Sequence, residues 1–206
     1  IPEGGCEYVF TDASPLFLTR ARERFAARGD VTYRVFDLEQ DAASQGFTAS
    51  SFDLIVGANV IHATRDVSDT LGRLRELLVP GGVLLMLEMS RPSRWVDLSF
   101  GFTEGWWAFD DDFRRSYPLL ASDGWRGVLE SVGFDEISIA LGTAGSGSGL
   151  EEQSVVLART GRAAGTSARW VLLSDQGTVG AALADRLAGR GDTVTLFGAT
   201  SRWTTG

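Results

Sequence analysis

Four apolar runs, separated by segments with helical features, constrain the fold of this chain more than any other feature. The runs are Cys6–Phe10, Val31–Phe36, Phe52–Ala58 and Val83–Met89. Apolar runs that lack a regular alternation with polar residues are typical of strands covered on both faces. Strands that alternate with helices favour a mainly parallel sheet. The sequence therefore predicts an α/β fold.

Local signals place the helices between these strands. Ser14 and Pro15 are a good N-cap and a good first helical residue, and Gly29 is a typical helix end. The side chains predicted to form the apolar face of this helix are Leu16, Phe17, Ala21 and Phe25. A second helix is predicted over residues 66–78, and the Pro-Gly-Gly at 80–82 is predicted to form a turn.

The pattern changes after the fourth run. Residues 90–117 are rich in aromatic side chains, and a helix is predicted over 122–132. Two final strands are predicted over Phe134–Ala140 and Gln153–Ala158. A Gly/Ser-rich loop over 142–149 joins them, so they are expected to form an antiparallel hairpin at the sheet edge.

A second α/β unit is predicted near the end of the sequence. Small residues over 161–168 predict a linker. A strand, a helix and another strand are predicted over Arg169–Ser174, Gly177–Ala188 and Thr193–Phe197. We therefore predict one domain over residues 1–160 and the start of a second over 169–206.

Composition excludes several classes of function. The 206 residues carry a formal charge of -8 and show no basic stripe, which argues against a nucleic-acid partner. One cysteine and one histidine exclude a disulfide within this sequence and a multi-histidine metal site, so no metal is predicted. No apolar run reaches about 18 residues, so no membrane span is expected. Without signal-peptide features, the expected location is cytoplasmic.

Polar side chains follow three of the predicted strands, where ligands bind in doubly wound sheets. Asp12 is a candidate acceptor for ribose hydroxyls, or a helix cap. Asp37 is a candidate acceptor for an adenine amino group, or a turn residue. Asn59 is a candidate ligand-binding residue, or a backbone cap.

His62 and Glu88 form the candidate catalytic pair. They lie at or just beyond the ends of successive strands, which would be close in space in this topology. A carboxylate after the apolar run V-L-L-M-L is costly unless it has a partner. A histidine held by a carboxylate keeps a defined tautomer and becomes a stronger base, suited to removing a proton from a carbon between two carbonyls. A purely structural hydrogen bond is the alternative.

Trp106 and Trp107 either form the wall of a substrate channel or pack in the core.

The motifs F-T-D-A-S-P-L-F-L, S-F-D-L-I-V-G-A-N-V-I-H-A-T and L-L-V-P-G-G-V-L-L-M-L-E, in this order, resemble the class I S-adenosylmethionine (SAM) dependent methyltransferases. N-V-I-H-A-T, L-E-M-S-R-P and G-F-T-E-G-W-W resemble the C-methyltransferase domains of type I polyketide synthases. The resemblance covers about residues 7–159. The later R-W-V-L-L-S-D-Q-G-T-V-G-A-A-L-A-D-R-L resembles the structural subdomain of a polyketide ketoreductase, for which we predict no NADPH binding.

The resemblance implies a Rossmann-like sheet whose first strand and glycine-rich SAM loop are expected just before Ile1 and are therefore lacking here. The two halves of the sheet would then lack their shared neighbour. The resemblance also implies SAM as cofactor, with Asp12 at the ribose, Asp37 and Leu38 near the adenine, and Asn59 also at the cofactor. His62 and Glu88 match the catalytic pair.

The implied reaction is methylation of the α-carbon of a β-ketoacyl thioester. The implied partners are an acyl carrier protein that holds this substrate on phosphopantetheine, and neighbouring ketoreductase and dehydratase domains. A non-catalytic spacer that organises a synthase module is one alternative, and the presence of both His62 and Glu88 counts against it. A small-molecule O- or N-methyltransferase is another, disfavoured by the second unit and the aromatic segment. A dehydrogenase that binds NAD is disfavoured by the Pro-Gly-Gly segment.

Overall fold

The computed structural model describes residues 7–141, 152–161, 169–174, 178–189 and 191–198. They fall into two units, one within residues 1–161 and the other within residues 162–206. Several sequence-based predictions lie outside the described residues, namely those for Cys6, the loop at 142–149, residues 162–168 of the linker, and Gly177.

The first unit alternates strands and helices, as the apolar runs predict. Its elements are β1 (Tyr8–Asp12), α1 (Pro15–Arg24), β2 (Val31–Val35), β3 (Phe52–Ala58), α2 (Val67–Leu77), β4 (Leu78–Met89), α3 (Arg94–Phe100), α4 (Ser122–Ser131), β5 (Phe134–Leu141) and β6 (Gln153–Thr160). Short 3-10 turns cover Ile61–Ala63 and Glu104–Trp107.

The strands of this unit form two sheets. β1 and β2 pair in parallel. The other sheet has the order β3-β4-β6-β5, in which β3 and β4 are parallel and β6 runs antiparallel to both of its neighbours. The predicted antiparallel hairpin at the sheet edge is thus confirmed. No ladder of hydrogen bonds joins the two sheets within the described ranges.

The Pro-Gly-Gly segment is not the separate turn that the sequence predicts. It lies inside β4, where the β3–β4 register shifts, and Gly81 has a φ of 81°. The end of β6 and the residue after it bond to this segment: Gly81 N donates to the carbonyl of Gly161 at 3.0 Å, and Arg159 Nε donates to the carbonyl of Gly81 at 2.9 Å. These bonds let the strand continue through an irregularity that only glycine adopts without strain.

The first helix also differs from its prediction. α1 ends at Arg24 rather than near Gly29, and its buried residues are Leu18 and Ala21. Three residues of the predicted apolar face are largely exposed, namely Leu16, Phe17 and Phe25. α1 packs chiefly on the narrow sheet of β1 and β2, so only one thin stripe of the helix is covered.

The main core lies on one face of the four-stranded sheet. Leu84, Met86 and Val156 of this face are fully buried against α2 and α4, together with Trp125 of α4. α2 begins cleanly because the Asp66 carboxylate accepts the N–H groups of Ser68 and Asp69, the N-cap arrangement that satisfies otherwise unpaired donors. This core holds rigid the strand ends that carry the site.

The second unit contains β7 (Arg169–Ser174), α5 (Thr178–Ala188) and β8 (Thr193–Gly198), and β7 pairs with β8 in parallel. This strand–helix–strand order is the one that the sequence predicts. Across the described parts of both units, no helix combines the length and apolar character needed to cross a membrane.

Candidate active site

The chain turns sharply where β3 ends, and Asn59 fixes this turn. Asn59 has a φ of 53°, in the left-handed region that asparagine tolerates better than most residues. Its N–H donates to the carbonyl of Leu87 at 2.7 Å, and its side-chain oxygen accepts the N–H of Met89 at 3.0 Å. Asn59 therefore holds β4 on both sides of Glu88.

The same turn surrounds the Glu88 carboxylate with donors. Glu88 is 0% exposed, and its Oε1 accepts the N–H groups of Val60 at 3.2 Å and Ile61 at 3.0 Å. Its Oε2 lies 2.5 Å from Nδ1 of His62, which is also buried. A buried carboxylate is costly unless it is hydrogen-bonded, and here every oxygen has a partner.

These contacts define what the imidazole can do. A carboxylate offers only acceptors, so the short contact with Glu88 requires the proton on Nδ1 of His62. The Nε2 atom is then the one that carries a lone pair. The structure thus brings together the two residues of the predicted pair in the arrangement of an oriented general base.

Aromatic side chains pack beside this pair. The Trp106 ring meets the His62 ring edge-on, with centroids 5.9 Å apart, and stacks on Phe100 at the same centroid separation. Trp106 is buried, whereas Trp107 is 48% exposed and donates its indole N–H to the carbonyl of Gly101. Of the two predicted substrate residues, Trp106 contacts His62, whereas Trp107 contacts Tyr117 instead.

Two polar groups belong to this aromatic cluster. The indole N–H of Trp106 is buried and has no acceptor among the described residues. The Tyr117 ring packs edge-on against Trp106, and its hydroxyl donates to Asp97 Oδ1 at 2.6 Å. Burial, together with this hydrogen bond, raises the pKa of Tyr117 to about 12, so the phenol stays neutral near pH 7.

The cofactor candidates keep polar atoms available after their local hydrogen bonds. Asp12 ends β1 and its Oδ1 accepts the N–H of Ser14, while Oδ1 of Asp37 accepts the N–H of Glu39. Within the described ranges, nothing donates to the second oxygen of either carboxylate. The bond of Asp37 is that of the turn alternative, and the bond of Asp12 goes to Ser14, the residue before α1, whose first turn has no side-chain cap. Each of the two carboxylates retains an acceptor. Leu38, partly buried, packs against the main core.

A polar cleft of about 290 Å³ lies elsewhere, at the start of α2. Four carboxylates and two guanidinium groups line it, from Glu39, Asp66, Asp69, Asp110, Arg65 and Arg73. None of the predicted site residues contributes to it. In the described part of the chain, no cluster of three or more His, Cys, Asp or Glu side chains is arranged to hold a metal ion.

One buried arginine near the site was missed from the sequence. The Arg114 guanidinium donates to the carbonyl of His62 at 2.6 Å and pairs with Asp111. The two residues are some 50 positions from His62, and nothing in the local pattern signals the contact. The surrounding residues 110–115, D-D-D-F-R-R, are strongly charged and typical of a solvated segment, so they give no hint of a buried ion pair.

Comparisons with known proteins show which proteins this chain resembles. The family model described as a methyltransferase domain matches residues 1–84. Over 128 residues the chain is 42% identical to methyltransferase calH of Penicillium decumbens, covering 62% of this chain and 35% of that protein. Over 136 residues it is 39% identical to squalestatin tetraketide synthase of a Phoma species, covering 66% of this chain and 5% of the synthase.

Solved structures are also similar to this chain. The carbon methyltransferase of CurJ superposes with a TM-score of 0.70 at 42% identity, covering 75% of this chain and 42% of that one. The C-methyltransferase domain of the citrinin polyketide synthase gives 0.68 at 31% identity, covering 76% and 40%. The trans-methyltransferase CalH, solved with SAH, gives 0.69 at 36% identity, covering 75% and 42%.

The chain thus spans less than half the length of each of these relatives. The matches confirm the methyltransferase resemblance, while the ketoreductase resemblance of residues 169–206 stays a prediction. The first unit has the Rossmann-like fold of class I methyltransferases, residues 1–84 match a methyltransferase domain model, and the homologues of the chain include carbon-methyltransferase domains of polyketide synthases.

Proposed function

We propose that this chain takes part in SAM-dependent methylation of the α-carbon of a β-ketoacyl thioester. The observation that carries the proposal is the buried contact between His62 Nδ1 and Glu88 Oε2, at the ends of β3 and β4. A carbon between two carbonyls is acidic enough for an oriented imidazole to deprotonate.

In the proposed reaction, Nε2 of His62 accepts the α-proton, and the C–H electron pair passes into the enolate of the substrate. Glu88 accepts the Nδ1 hydrogen throughout and stabilises the imidazolium that forms. The enolate carbon then forms the new C–C bond. SAM, when bound, would supply the methyl group from its positively charged sulfur: the S–CH₃ bond would break as the C–C bond forms, and its electron pair would stay on the sulfur of the neutral thioether that leaves.

The residues at the strand ends have the right chemistry for the cofactor. Ribose hydroxyls and an adenine amino group are donors, and Asp12 and Asp37 each keep a carboxylate oxygen to accept from them. Leu38 would offer apolar contact beside the adenine. Asn59 retains its side-chain NH₂, although its oxygen is used by Met89. CalH, a similar protein, was solved with SAH, which supports the same cofactor here.

Trp106 is the proposed substrate-side residue, since it borders the base and has a buried N–H without a described acceptor. We propose an acyl carrier protein as the carrier of the β-ketoacyl group on phosphopantetheine. The similarity to a tetraketide synthase and to highly reducing polyketide synthases supports ketoreductase and dehydratase domains as neighbours.

The base is tested in the intact protein that contains this chain. His62→Ala is expected to lower methyl transfer to a β-ketoacyl carrier protein by roughly 10²–10⁴-fold, the usual contribution of a general base, with SAM affinity nearly unchanged. Calorimetric titration with SAM and the initial rate of methylation measure the two effects. Full activity in His62→Ala would refute the proposal.

The cofactor role is tested by Asp12→Ala. Loss of a charged acceptor is expected to weaken SAM binding by roughly 10–100-fold, since a hydrogen bond to a charged group contributes about 1.5–3 kcal/mol. Asp53→Ala is the matched control, because Asp53 is exposed near the other end of β3. Equal SAM affinity in both variants would remove Asp12 from the proposed cofactor site.

A further inference from the structure

A buried arginine holds the main chain of the turn that carries His62. Arg114 has a side chain that is 0% exposed, and its NH1 donates to the carbonyl of His62 at 2.6 Å. Its NH2 donates to the carbonyls of Thr64 at 2.6 Å and Arg65 at 2.9 Å. One rigid guanidinium thus bonds three carbonyls within four residues of the turn.

Asp111 in turn fixes the guanidinium. Its Oδ2 accepts Nε of Arg114 at 2.7 Å, and its Oδ1 accepts the N–H groups of Phe113 and Arg114. The same Oδ2 also accepts the N–H of Val67, the first residue of α2, at 3.3 Å. The ion pair therefore ties residues 111–114 to both the turn and the helix that follows it.

His62 is held at two separate points as a result. Glu88 holds the imidazole through Nδ1, and Arg114 holds the main-chain carbonyl of the same residue. A side chain anchored at its tip and its root has little freedom to rotate. A displacement of about 1 Å at a reacting group costs roughly 100-fold in rate, so such restraint matters for a base.

We propose that Arg114, together with Asp111, is a positioning residue that sets the direction of His62 Nε2 toward the substrate. The inference rests on the proposed function of His62. Arginine suits this role because its planar fork presents fixed donors, whereas lysine presents a single point charge that cannot span the same carbonyls. Arg114 touches neither substrate nor cofactor in this scheme.

The test compares Arg114→Lys with Arg159→Lys in the intact protein. Arg159 is an equally buried arginine that donates to a carbonyl in the four-stranded sheet, near the start of β4 and away from Glu88. We expect Arg114→Lys to lower kcat for methylation roughly 100-fold with the KM for SAM unchanged. We expect Arg159→Lys to keep the wild-type kcat, even if both variants melt at a lower temperature.

A spectroscopic measurement separates positioning from stability. His62 is the single histidine of this sequence, so segmental ¹⁵N-histidine labelling of these residues within the intact protein reports on one imidazole. Folded Arg114→Lys is expected to show a shifted or doubled imidazole signal, while Arg159→Lys keeps the wild-type signal. Wild-type kcat and an unchanged imidazole signal in folded Arg114→Lys would overturn the proposal.

Two further outcomes are also decisive. If Arg114→Lys does not fold, Asp111→Asn is measured in its place, and the same kcat and imidazole criteria apply. Loss of folding in both variants would mean that the pair stabilises the whole fold, which overturns a positioning role. Wild-type activity in His62→Ala would refute the proposed function itself, whereas an inactive His62→Ala beside a fully active Arg114→Lys would refute the positioning role alone.

Discussion

Replacing Glu88 with glutamine changes one atom of the candidate site and is expected to change the tautomer of His62. The side-chain oxygen of glutamine can still accept the N–H groups of Val60 and Ile61. Its NH₂ group then faces Nδ1 of His62, where Oε2 of Glu88 now lies 2.5 Å away. Two donors cannot share that contact, so Nδ1 must become an acceptor and the proton must move to Nε2.

The expected effects on stability and on activity have different sizes. Hydrogen bonds to a charged acceptor contribute about 1.5–3 kcal/mol each and neutral ones about 0.5–1.5, so three weakened bonds cost roughly 3–5 kcal/mol. Removal of a buried charge offsets much of this cost. The net change in unfolding free energy should therefore stay within about 2 kcal/mol. With Nε2 protonated the base is lost, and the rate should fall roughly 10²–10⁴-fold.

The assay follows hydrogen exchange at the α-carbon of a β-ketoacyl thioester in D₂O, corrected for the spontaneous rate, beside methyl transfer from SAM. Glu130→Gln, at an exposed site near the end of α4, is the matched control. Chemical denaturation of each variant measures the change in unfolding free energy. If Glu88→Gln exchanged the α-proton at the wild-type rate while its histidine spectrum showed the changed tautomer, Nε2 of His62 would not be the base.

Two further predictions concern single contacts. Asp66→Ala should lower the unfolding free energy by about 1 kcal/mol, because the first turn of α2 loses its N-cap. An unchanged denaturation midpoint would show that this cap does not contribute to stability. The pKa of Tyr117 is raised to about 12 in the folded protein, compared with about 10 in the unfolded chain. Tyr117 therefore ionises first in the unfolded chain, and the folded protein loses stability as pH rises from about 10 to 12. Tyr117→Phe, which cannot ionise, should lose less stability than the wild type across that range in pH-dependent unfolding. An identical pH dependence in the two proteins would refute the assigned shift.

The sheet was predictable because its strands are encoded locally. Phe52–Ala58 is bounded as its apolar run predicts, and the hairpin of β5 and β6 follows from two apolar runs near the sheet edge. The Pro-Gly-Gly segment was predicted wrongly, because its hydrogen bonds come from residues near position 160 that no local pattern reveals. The local sequence indicates that the backbone is irregular at these glycines, but it does not reveal the distant residues that hydrogen-bond to it.

The candidate site divides in the same way. His62 and Glu88 were predictable because a carboxylate that ends an apolar run needs a nearby partner. Arg114 was not, because its partners are backbone carbonyls, which carry no sequence signature. The burial of Trp106 and the exposure of Trp107 were likewise beyond prediction, since the two adjacent residues are chemically alike and only packing distinguishes them.

Strand register links the fold to the proposed chemistry. Side chains alternate along a strand, so Glu88 lies on the same face as Leu84 and Met86, which are fully buried. A shift of β4 by one residue would turn Glu88 away from this face and leave Val60 and Ile61 without their acceptor. Asn59 opposes such a shift because it bonds the residues on both sides of Glu88. The contacts of Asn59 therefore offset the strain of its left-handed backbone, and they fix the register on which the His62–Glu88 pair depends. This structural role does not require that Asn59 bind the cofactor.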